Sequence, residues 1–302
     1  MTSSHANTIR RDAPDTRTHQ NDSVKLPLLE PRFDRIYAQQ RLEEMRGDPD
    51  IVTPFEHRLS CHIDIDEDCR TYLRELQGDP YILEEGQNYQ NAGWEVTDIS
   101  ILQMGWMIGY NLTPSGQRFV YSIYQPGDFI GIEDLNWNQH SSTIACATNC
   151  VVSRFGKSNL HKIFEESPRL SRTIFSVSMM NQVLSFDRHR AASRLSAQAC
   201  VAAFFLQQHS RALAAGTAIS ETEFALPLTQ AEIGDAIGLT NVSVSRAVTG
   251  LTEQGLLKRY ADKRIKFLSY KELAQTVDFT DRHQHIDHAF IGGREHLQGT
   301  PC

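Results

Sequence analysis

Two short helical patterns joined by a glycine constrain this chain more than any other feature. They lie in Leu228–Ser269. Thr229, followed three residues later by Glu232, is typical of a capping box that begins a helix. Gly238 is placed to end that helix in a left-handed conformation, and Thr240 is placed to begin the next one. The segment therefore predicts a helix-turn-helix.

The second predicted helix has one apolar face and one face of small polar side chains. Val244, Val248 and Leu251 form the stripe that we expect to be buried. The side chains of the other face are small, so this helix can enter a DNA major groove, which is about 12 Å wide. Arg246 can offer a bidentate fork to guanine, and the hydroxyl and amide side chains can reach phosphates or base edges. The predicted DNA contacts are Thr229, Gln230, Thr240, Asn241, Ser243, Ser245, Arg246 and Lys263.

A basic hairpin follows the two helices. The turn Ala261–Lys263 and the strand Arg264–Leu268 predict a two-stranded wing whose basic tip lies along the DNA backbone. Residues 225–275 hold seven Lys/Arg and five Asp/Glu, a balance of +2, in a 302-residue chain whose formal net charge is −7. The acidic total alone does not favour nucleic acid. The local excess of cations nevertheless predicts one basic surface.

Residues 79–155 have a different pattern. Short runs rich in β-branched and aromatic residues alternate with the turn signals EEGQN, NAGWE, TPSGQ and QPGDF. Turns about every ten residues predict a small antiparallel barrel or sandwich. An enzyme of the cupin type is an alternative with similar geometry. A metal-dependent cupin needs several histidines, whereas the stretch Tyr81–Val152 contains only His140.

A long helical pattern begins at Pro168. Its apolar positions fall near a 3.6-residue stripe and permit two interpretations: a core helix packed on its own domain, or a helix in a coiled-coil-like seam between two copies of the chain. We expect the second. The predicted dimer contacts are Leu170, Ile174, Val177, Val183 and Leu184.

The order of β-roll, long helix and winged helix-turn-helix resembles the CRP/FNR family of bacterial transcription regulators. The resemblance covers roughly residues 55–275 and includes the QPGDFIG turn. The pair Ser245 and Arg246 matches FNR-like members, whereas Val242 stands where many members have a base-reading Glu. The resemblance implies an α+β fold with a cyclic-nucleotide-binding-like β-roll, and a homodimer that binds a palindromic promoter site and contacts RNA polymerase. A module of the same shape that binds protein rather than DNA is the alternative.

The expected organisation has five parts. They are a disordered N-terminal extension (1–30), a β-roll sensor domain with N-terminal helices (31–167), a dimerisation helix (168–194), a winged helix-turn-helix domain (195–275) and a flexible, His-rich tail (276–302). No apolar run approaches the ~20 residues that span a membrane, and the N-terminus has no apolar signal region. We therefore expect a cytoplasmic protein without a membrane partner.

The resemblance implies a small-molecule or redox signal in the β-roll. Cyclic-AMP-binding members have an Arg-Ser pair about ten residues after a Gly-Glu pair, but His140–Thr143 contains no Arg. A phosphate would lack its compensating cation there, so we do not expect cyclic AMP. Cys61, Cys69, Cys146 and Cys150 are candidates for an iron–sulfur cluster or for thiol-redox sensing, as in FNR. Since the closely spaced N-terminal cysteines of FNR are missing, ordinary reduced thiols are the expected state.

Overall fold

The computed structural model describes residues 32–48 and 51–291. The expected N-terminal extension (1–30) and residues 292–302 of the expected tail lie outside the described residues. The helices are α1 (Arg35–Gly47), α2 (Pro54–Ser60), α3 (Glu67–Glu75), α4 (Lys157–Glu166), α5 (Pro168–Arg194), α6 (Ala197–Ala214), α7 (Gln230–Ile237), α8 (Asn241–Glu253), α9 (Tyr270–Thr276) and α10 (His288–Ile291). The strands are β1 (Pro80–Leu83), β2 (Asn88–Gln90), β3 (Asp98–Met104), β4 (Met107–Leu112), β5 (Arg118–Tyr124), β6 (Phe129–Ile130), β7 (Thr143–Cys146), β8 (Cys150–Gly156), β9 (Glu223–Ala225), β10 (Leu257–Arg259) and β11 (Arg264–Phe267).

Strands β1 to β8 form two four-stranded antiparallel sheets, in the orders β1-β8-β3-β6 and β2-β7-β4-β5. The predicted antiparallel β-roll is confirmed. Alternate residues of these strands point between the sheets and exclude water from an apolar interior. Its buried members are Leu83, Leu102, Met107, Tyr124, Ile130, Ile144, Cys146, Cys150 and Val152.

Helix α5 is 27 residues long, which corresponds to about 40 Å. Ser167 caps its N-terminus by accepting a hydrogen bond from the Leu170 N–H, and Pro168 occupies the first turn, where a missing N–H costs nothing. In the described part of the chain, no helix is both long enough and apolar enough to cross a membrane.

The DNA-binding unit shares its core with the outer face of the β-roll. Trp106, Ile108, Val120 and Ile123 from the roll join the buried cluster formed by α6, α7, α8 and the β9–β11 sheet. The sheet has the order β10-β11-β9, so the predicted two-stranded wing has β9 as a third strand. Sensor roll and DNA-binding unit are therefore packed together rather than joined only by α5.

The segment after α9 differs from the flexible tail expected over 276–302. Arg282 forms two hydrogen bonds of 2.9 and 3.0 Å with the Asp187 carboxylate on α5. Ser210 on α6 donates to Asp281, and Ile291 is only 1% exposed. The polar, His-rich composition suggested solvation, but these side chains have specific partners on α5 and α6. Up to Ile291, the expectation of a flexible tail is wrong.

Candidate nucleic-acid interface

The first helix of the helix-turn-helix begins with the predicted capping box. The Thr229 hydroxyl accepts a hydrogen bond of 3.2 Å from the Glu232 N–H, and the Glu232 carboxylate accepts one of 2.8 Å from the Thr229 N–H. Both groups satisfy N–H donors that the first turn leaves without helical partners. Thr229 is exposed and Gln230 is half-buried at this N-terminus.

The turn between α7 and α8 depends on two glycines. Gly238 ends α7 with φ 71° and ψ 29°, the left-handed conformation predicted for it. Gly234 was not singled out from the sequence. A Cβ on Gly234 would lie well inside van der Waals distance of the Leu239 carbonyl oxygen. A glycine inside an otherwise helical pattern was the available indication of such a close approach.

Helix α8 presents the predicted faces. Its N-cap is Thr240, whose hydroxyl accepts from the Ser243 N–H at 3.1 Å. The stripe Val244, Val248 and Leu251 is buried as predicted, together with Ala247. On the opposite side Asn241 and Arg246 are exposed, and Ser243 and Ser245 are half-buried. Within the described residues, Arg246 forms no ion pair. Its guanidinium therefore remains available to a ligand.

The wing contains one cation that is paired within the chain and one that is exposed at its tip. Arg264 is held by the Asp262 carboxylate at 2.7 Å and by the Glu223 carboxylate at 2.8 Å. The hydrogen bond with Asp262 raises the pKa of Arg264. Lys263 stands at the tip, exposed and with φ 67°, so its side chain projects from the turn between β10 and β11. Among the predicted contacts, Lys263 is the cation that the wing offers to solvent.

One ion pair fixes α7 against the β-roll. Asp235 on α7 accepts a hydrogen bond of 2.7 Å from Arg118 on β5. The Arg118 guanidinium also lies over the Tyr110 ring, 5.7 Å from its centroid. The orientation of the helix-turn-helix is thus coupled to the sensor hairpin formed by β4 and β5.

Comparisons with known proteins agree with this geometry. Residues 201–276 match the Crp-like helix-turn-helix domain. The nitrogen fixation regulation protein FixK of Bradyrhizobium diazoefficiens is 34% identical over 154 residues, which are 51% of this chain and 63% of FixK, so the chain spans less than two thirds of that relative. An anaerobic regulatory protein of Aggregatibacter actinomycetemcomitans is 24% identical over 200 residues, 66% of this chain and 75% of that protein. The solved structure of FixK2 from Bradyrhizobium japonicum superposes with a TM-score of 0.58 at 21% identity, covering 67% of this chain and 97% of FixK2. A CooA mutant from Carboxydothermus hydrogenoformans superposes with a TM-score of 0.54 at 17% identity, covering 68% of this chain and 89% of CooA.

The chain contains a Crp-like helix-turn-helix domain and is similar to regulators of the CRP/FNR type.

These relatives are transcription regulators and not enzymes, and together with the helix-turn-helix they support a DNA-binding regulator that responds to a signal. The comparisons therefore favour a DNA-binding regulator over the cupin alternative and over a module that does not bind DNA. Both were drawn from local geometry, which unrelated functions share. The likeness in fold to the solved structures extends over the described order of β-roll, long helix and winged helix-turn-helix.

The predicted dimer contacts on α5 require a correction. Leu170, Ile174 and Val177 are each at most 4% exposed and pack against the chain's own sensor domain, and Leu184 is 4% exposed. Only Val183 of the predicted five faces outward, with 37% of its surface exposed. The 3.6-residue apolar periodicity correctly predicts a buried stripe on α5, but this stripe faces the β-roll and not a second copy of the chain. The outward apolar residues of α5 are Phe175, Met179, Val183 and Phe186.

The four candidate cysteines do not converge on one site. Cys146 lies beside Cys150 in the roll, whereas the Cys61 thiol lies 3.4 Å from the Ala214 carbonyl oxygen. Burial raises the pKa of Cys61 and of Cys150, which disfavours the reactive thiolate. Cys69 is fully buried, and Cys61, Cys146, Cys150 and Cys200 are free cysteines. Within the described residues, no group of three or more His, Cys, Asp or Glu side chains is arranged to hold a metal ion.

Cyclic-AMP-binding members place their Arg in the roll segment after β6. In this chain, side chains of that segment form hydrogen bonds with one another. The Asp134 carboxylate, 1% exposed, accepts from Ser141 at 2.6 Å and contacts the His140 ring nitrogen at 3.1 Å. A buried carboxylate at this place would repel a phosphate. The absence of cyclic AMP stays a prediction.

Proposed function

We propose that the outward face of α8 reads the sequence of double-stranded DNA and that Arg246 is the principal base-reading residue. The observation that carries this proposal is an exposed arginine, free of ion pairs within the described residues, on a helix whose inner face is fully packed. Asn241, Ser243 and Ser245 surround Arg246 with short donors and acceptors, so the helix can approach base edges closely. Arg246 offers the bidentate geometry that guanine O6 and N7 accept.

The remaining contacts hold the DNA backbone. Thr229 and Gln230 lie at the N-terminus of α7, where backbone N–H groups and the helix dipole favour phosphate. Thr240 is the N-cap of α8, where the helix N-terminus also favours phosphate. Its hydroxyl lies 2.9 Å from the Ser243 hydroxyl, so each hydroxyl can orient the other. Lys263 at the wing tip supplies a point charge for a flanking phosphate.

The functional unit in this proposal is a homodimer joined along α5. Phe175, Met179, Val183 and Phe186 follow spacings of four, four and three residues, which place them on one outward stripe. Two parallel copies of α5 would bury this stripe and relate the two recognition helices by a two-fold axis. The DNA site is then palindromic, with half-sites about 34 Å apart.

In this proposal each expected domain has one role. Residues 31–167 sense a small-molecule or redox signal, residues 168–194 form the dimer contact, and residues 195–275 bind DNA. The signal shifts the population between packed and released orientations of the DNA-binding domain. The cytoplasm is the proposed location and RNA polymerase is the further partner, both implied by the family.

In vitro selection from a random double-stranded DNA pool tests the proposal. The enriched sequences should be two-fold symmetric, and fluorescence anisotropy should show that binding weakens steeply with salt. Arg246→Ala should cost about 1–3 kcal/mol per half-site and relax the preference at one base pair, whereas Lys263→Ala should weaken all sequences alike. Arg172→Ala, which removes an exposed arginine from α5, is the control and should bind as the wild type does. Unchanged affinity and unchanged base preference in Arg246→Ala would contradict the assignment.

A further inference from the structure

Residues 277–291 continue the chain beyond the helix-turn-helix domain. The match to that domain ends at residue 276, and α9 ends at Thr276. From there residues 277–291, the C-terminal strap, contact the DNA-binding unit, then α6 and α5, and finally the sensor domain. The strap is therefore a second connection between the two domains, besides the linker at residues 195–196 between α5 and α6.

The first part of the strap is fixed to the DNA-binding unit. Val277 is 2% exposed and lies in the buried cluster that contains α6, α7 and α8, and Phe279 packs against the same cluster. The Val277 N–H donates to the Leu273 carbonyl oxygen on α9 at 3.3 Å, and the Phe279 N–H donates to the Ala274 carbonyl oxygen at 2.9 Å. This end of the strap cannot separate from the DNA-binding unit without exposing apolar surface.

The middle of the strap contacts α6 and α5 through polar side chains. Asp281 accepts a hydrogen bond of 2.5 Å from the Ser210 hydroxyl on α6, and a His283 ring nitrogen lies 3.0 Å from the same hydroxyl. Burial opposes ionisation of Asp281, but its hydrogen bonds with His283 and Ser210 lower its pKa. Arg282 forms two hydrogen bonds of 2.9 and 3.0 Å with Asp187 on α5. Their side chains are 37% and 23% exposed, so water screens this ion pair only in part.

The end of the strap is anchored in the sensor domain. Ile291 is 1% exposed and belongs to the buried cluster that contains Phe55 of α2, and Ile286 packs against the same cluster. A ring nitrogen of His288 lies 3.2 Å from the His62 carbonyl oxygen, two residues after α2. The two ends of the strap thus lie in the apolar clusters of two different domains, and the ion pair with α5 lies between them.

The strap leaves the proposed DNA-binding face uncovered. Asn241 and Arg246 on α8 and Lys263 at the wing tip are all exposed. The strap therefore does not act by blocking access of DNA to these side chains. What it restricts is the orientation of the DNA-binding unit relative to α5, the helix along which two copies are proposed to join. In a dimer this orientation sets the distance and the angle between the two recognition helices.

We propose that the C-terminal strap pre-organises the DNA-binding unit for simultaneous contact with both half-sites, and that the ion pair between Arg282 and Asp187 keeps the strap closed. The proposal rests on the proposed function, because it presupposes a dimer on palindromic DNA. When the strap is closed, binding of one half-site places the second recognition helix at the other half-site. When the strap is open, the second DNA-binding unit has to be ordered during binding, which lowers its effective concentration. The strap should therefore strengthen binding of a full palindrome but not of a single half-site.

Charge reversal in the full chain tests the proposal. In Arg282→Glu two carboxylates face each other, so amide hydrogen exchange of residues 277–291, measured by mass spectrometry, should become faster. Fluorescence anisotropy should show that the selected palindrome binds about tenfold more weakly, whereas DNA with one intact and one scrambled half-site changes by less than about twofold. The double variant Asp187→Arg/Arg282→Glu restores an ion pair of reversed polarity. It should recover both the slow exchange and the affinity for the palindrome.

Lys162→Glu is the matched control, because it reverses an exposed cation on α4, away from the strap. It should behave as the wild type does in both measurements. Retained half-site binding in Arg282→Glu shows that the DNA-binding unit is folded. The proposal is overturned if the strap of Arg282→Glu stays protected, if half-site binding falls as far as palindrome binding, or if the double variant does not recover.

The two proposals fail in different ways. Failure of the wild type to bind any selected DNA contradicts the proposed function. Palindrome binding by Arg282→Glu that equals or exceeds that of the wild type, with fast exchange of residues 277–291, contradicts only the pre-organising role of the strap.

Discussion

Replacing Asp128 by Asn should destabilise the protein more than any exposed acid-to-amide change. The Asp128 carboxylate is 2% exposed and pairs with Arg58 and Arg211, whose side chains are 2% and 4% exposed. The three groups come from α2, from the turn between β5 and β6, and from α6, so they join the sensor domain to the DNA-binding unit. Asn has nearly the same shape, and the change therefore removes charge without creating a cavity.

The expected loss is about 3–5 kcal/mol of unfolding free energy, because two buried guanidinium charges lose their common counterion. Solvent screening weakens the interaction energy of exposed ion pairs, but these three groups are buried and are not screened by water. The loss is a large part of the 5–15 kcal/mol typical of a folded protein. It should lower the Tm by roughly 6–20 °C at about 2–4 °C per kcal/mol.

Urea unfolding followed by far-UV circular dichroism measures the change. The matched control is Asp262→Asn in the wing, where the carboxylate is 49% exposed and pairs with Arg264. That change should cost less than about 1 kcal/mol. Adding Arg211→Met to Asp128→Asn should recover part of the stability by removing one unpaired charge. If Asp128→Asn unfolds within about 1 kcal/mol of the wild type, the argument from the buried charges is refuted.

Three further outcomes are expected. Burial and the neighbouring Arg58 lower the pKa of His62 to about 4, so the unfolded chain takes up a proton below about pH 6.5 while the folded chain does not. Stability should fall as the pH falls from about 6.5 to 4, and His62→Gln should reduce that slope by up to about 1.4 kcal/mol per pH unit, measured by urea unfolding across the range. Gly234→Ala should cost about 1–3 kcal/mol in thermal unfolding, because the new methyl meets the Leu239 carbonyl oxygen. Phe186→Asp should convert the proposed dimer to a monomer in light scattering, because it places a charge in the outward stripe of α5.

Each of these outcomes has a control elsewhere in the chain. Gln40→Ala, at an exposed position without a titratable group, should leave the pH slope unchanged. Gly250→Ala should be tolerated, because its new methyl would meet only the flexible end of the Gln198 side chain. Ile36→Asp changes an exposed apolar residue of α1 and should leave the dimer intact. An unaltered slope in His62→Gln, wild-type stability in Gly234→Ala or an intact dimer in Phe186→Asp would contradict the respective argument.

The sequence alone was sufficient for the helix-turn-helix because its determinants are local. Thr229 and Glu232 interact across one turn, and Gly238 follows the helix that it ends. Such interactions depend on residues three or four apart, so spacing reveals them. The β-roll was predictable for a similar reason, since alternation and turn residues are short-range properties.

Tertiary structure decided which surfaces those elements present. The apolar stripe of α5 could face the roll or a second copy of the chain, and only packing showed that Leu170 and Ile174 face the roll while Phe186 faces outward. Arg58, Asp128 and Arg211 lie far apart in the chain, so no spacing connects them. The polar composition of the segment around Arg282 predicted a solvated tail, whereas its contacts with α5 and α6 hold it against the protein. Periodicity identifies a buried face, but the identity of its neighbour is a long-range property that only the folded chain defines.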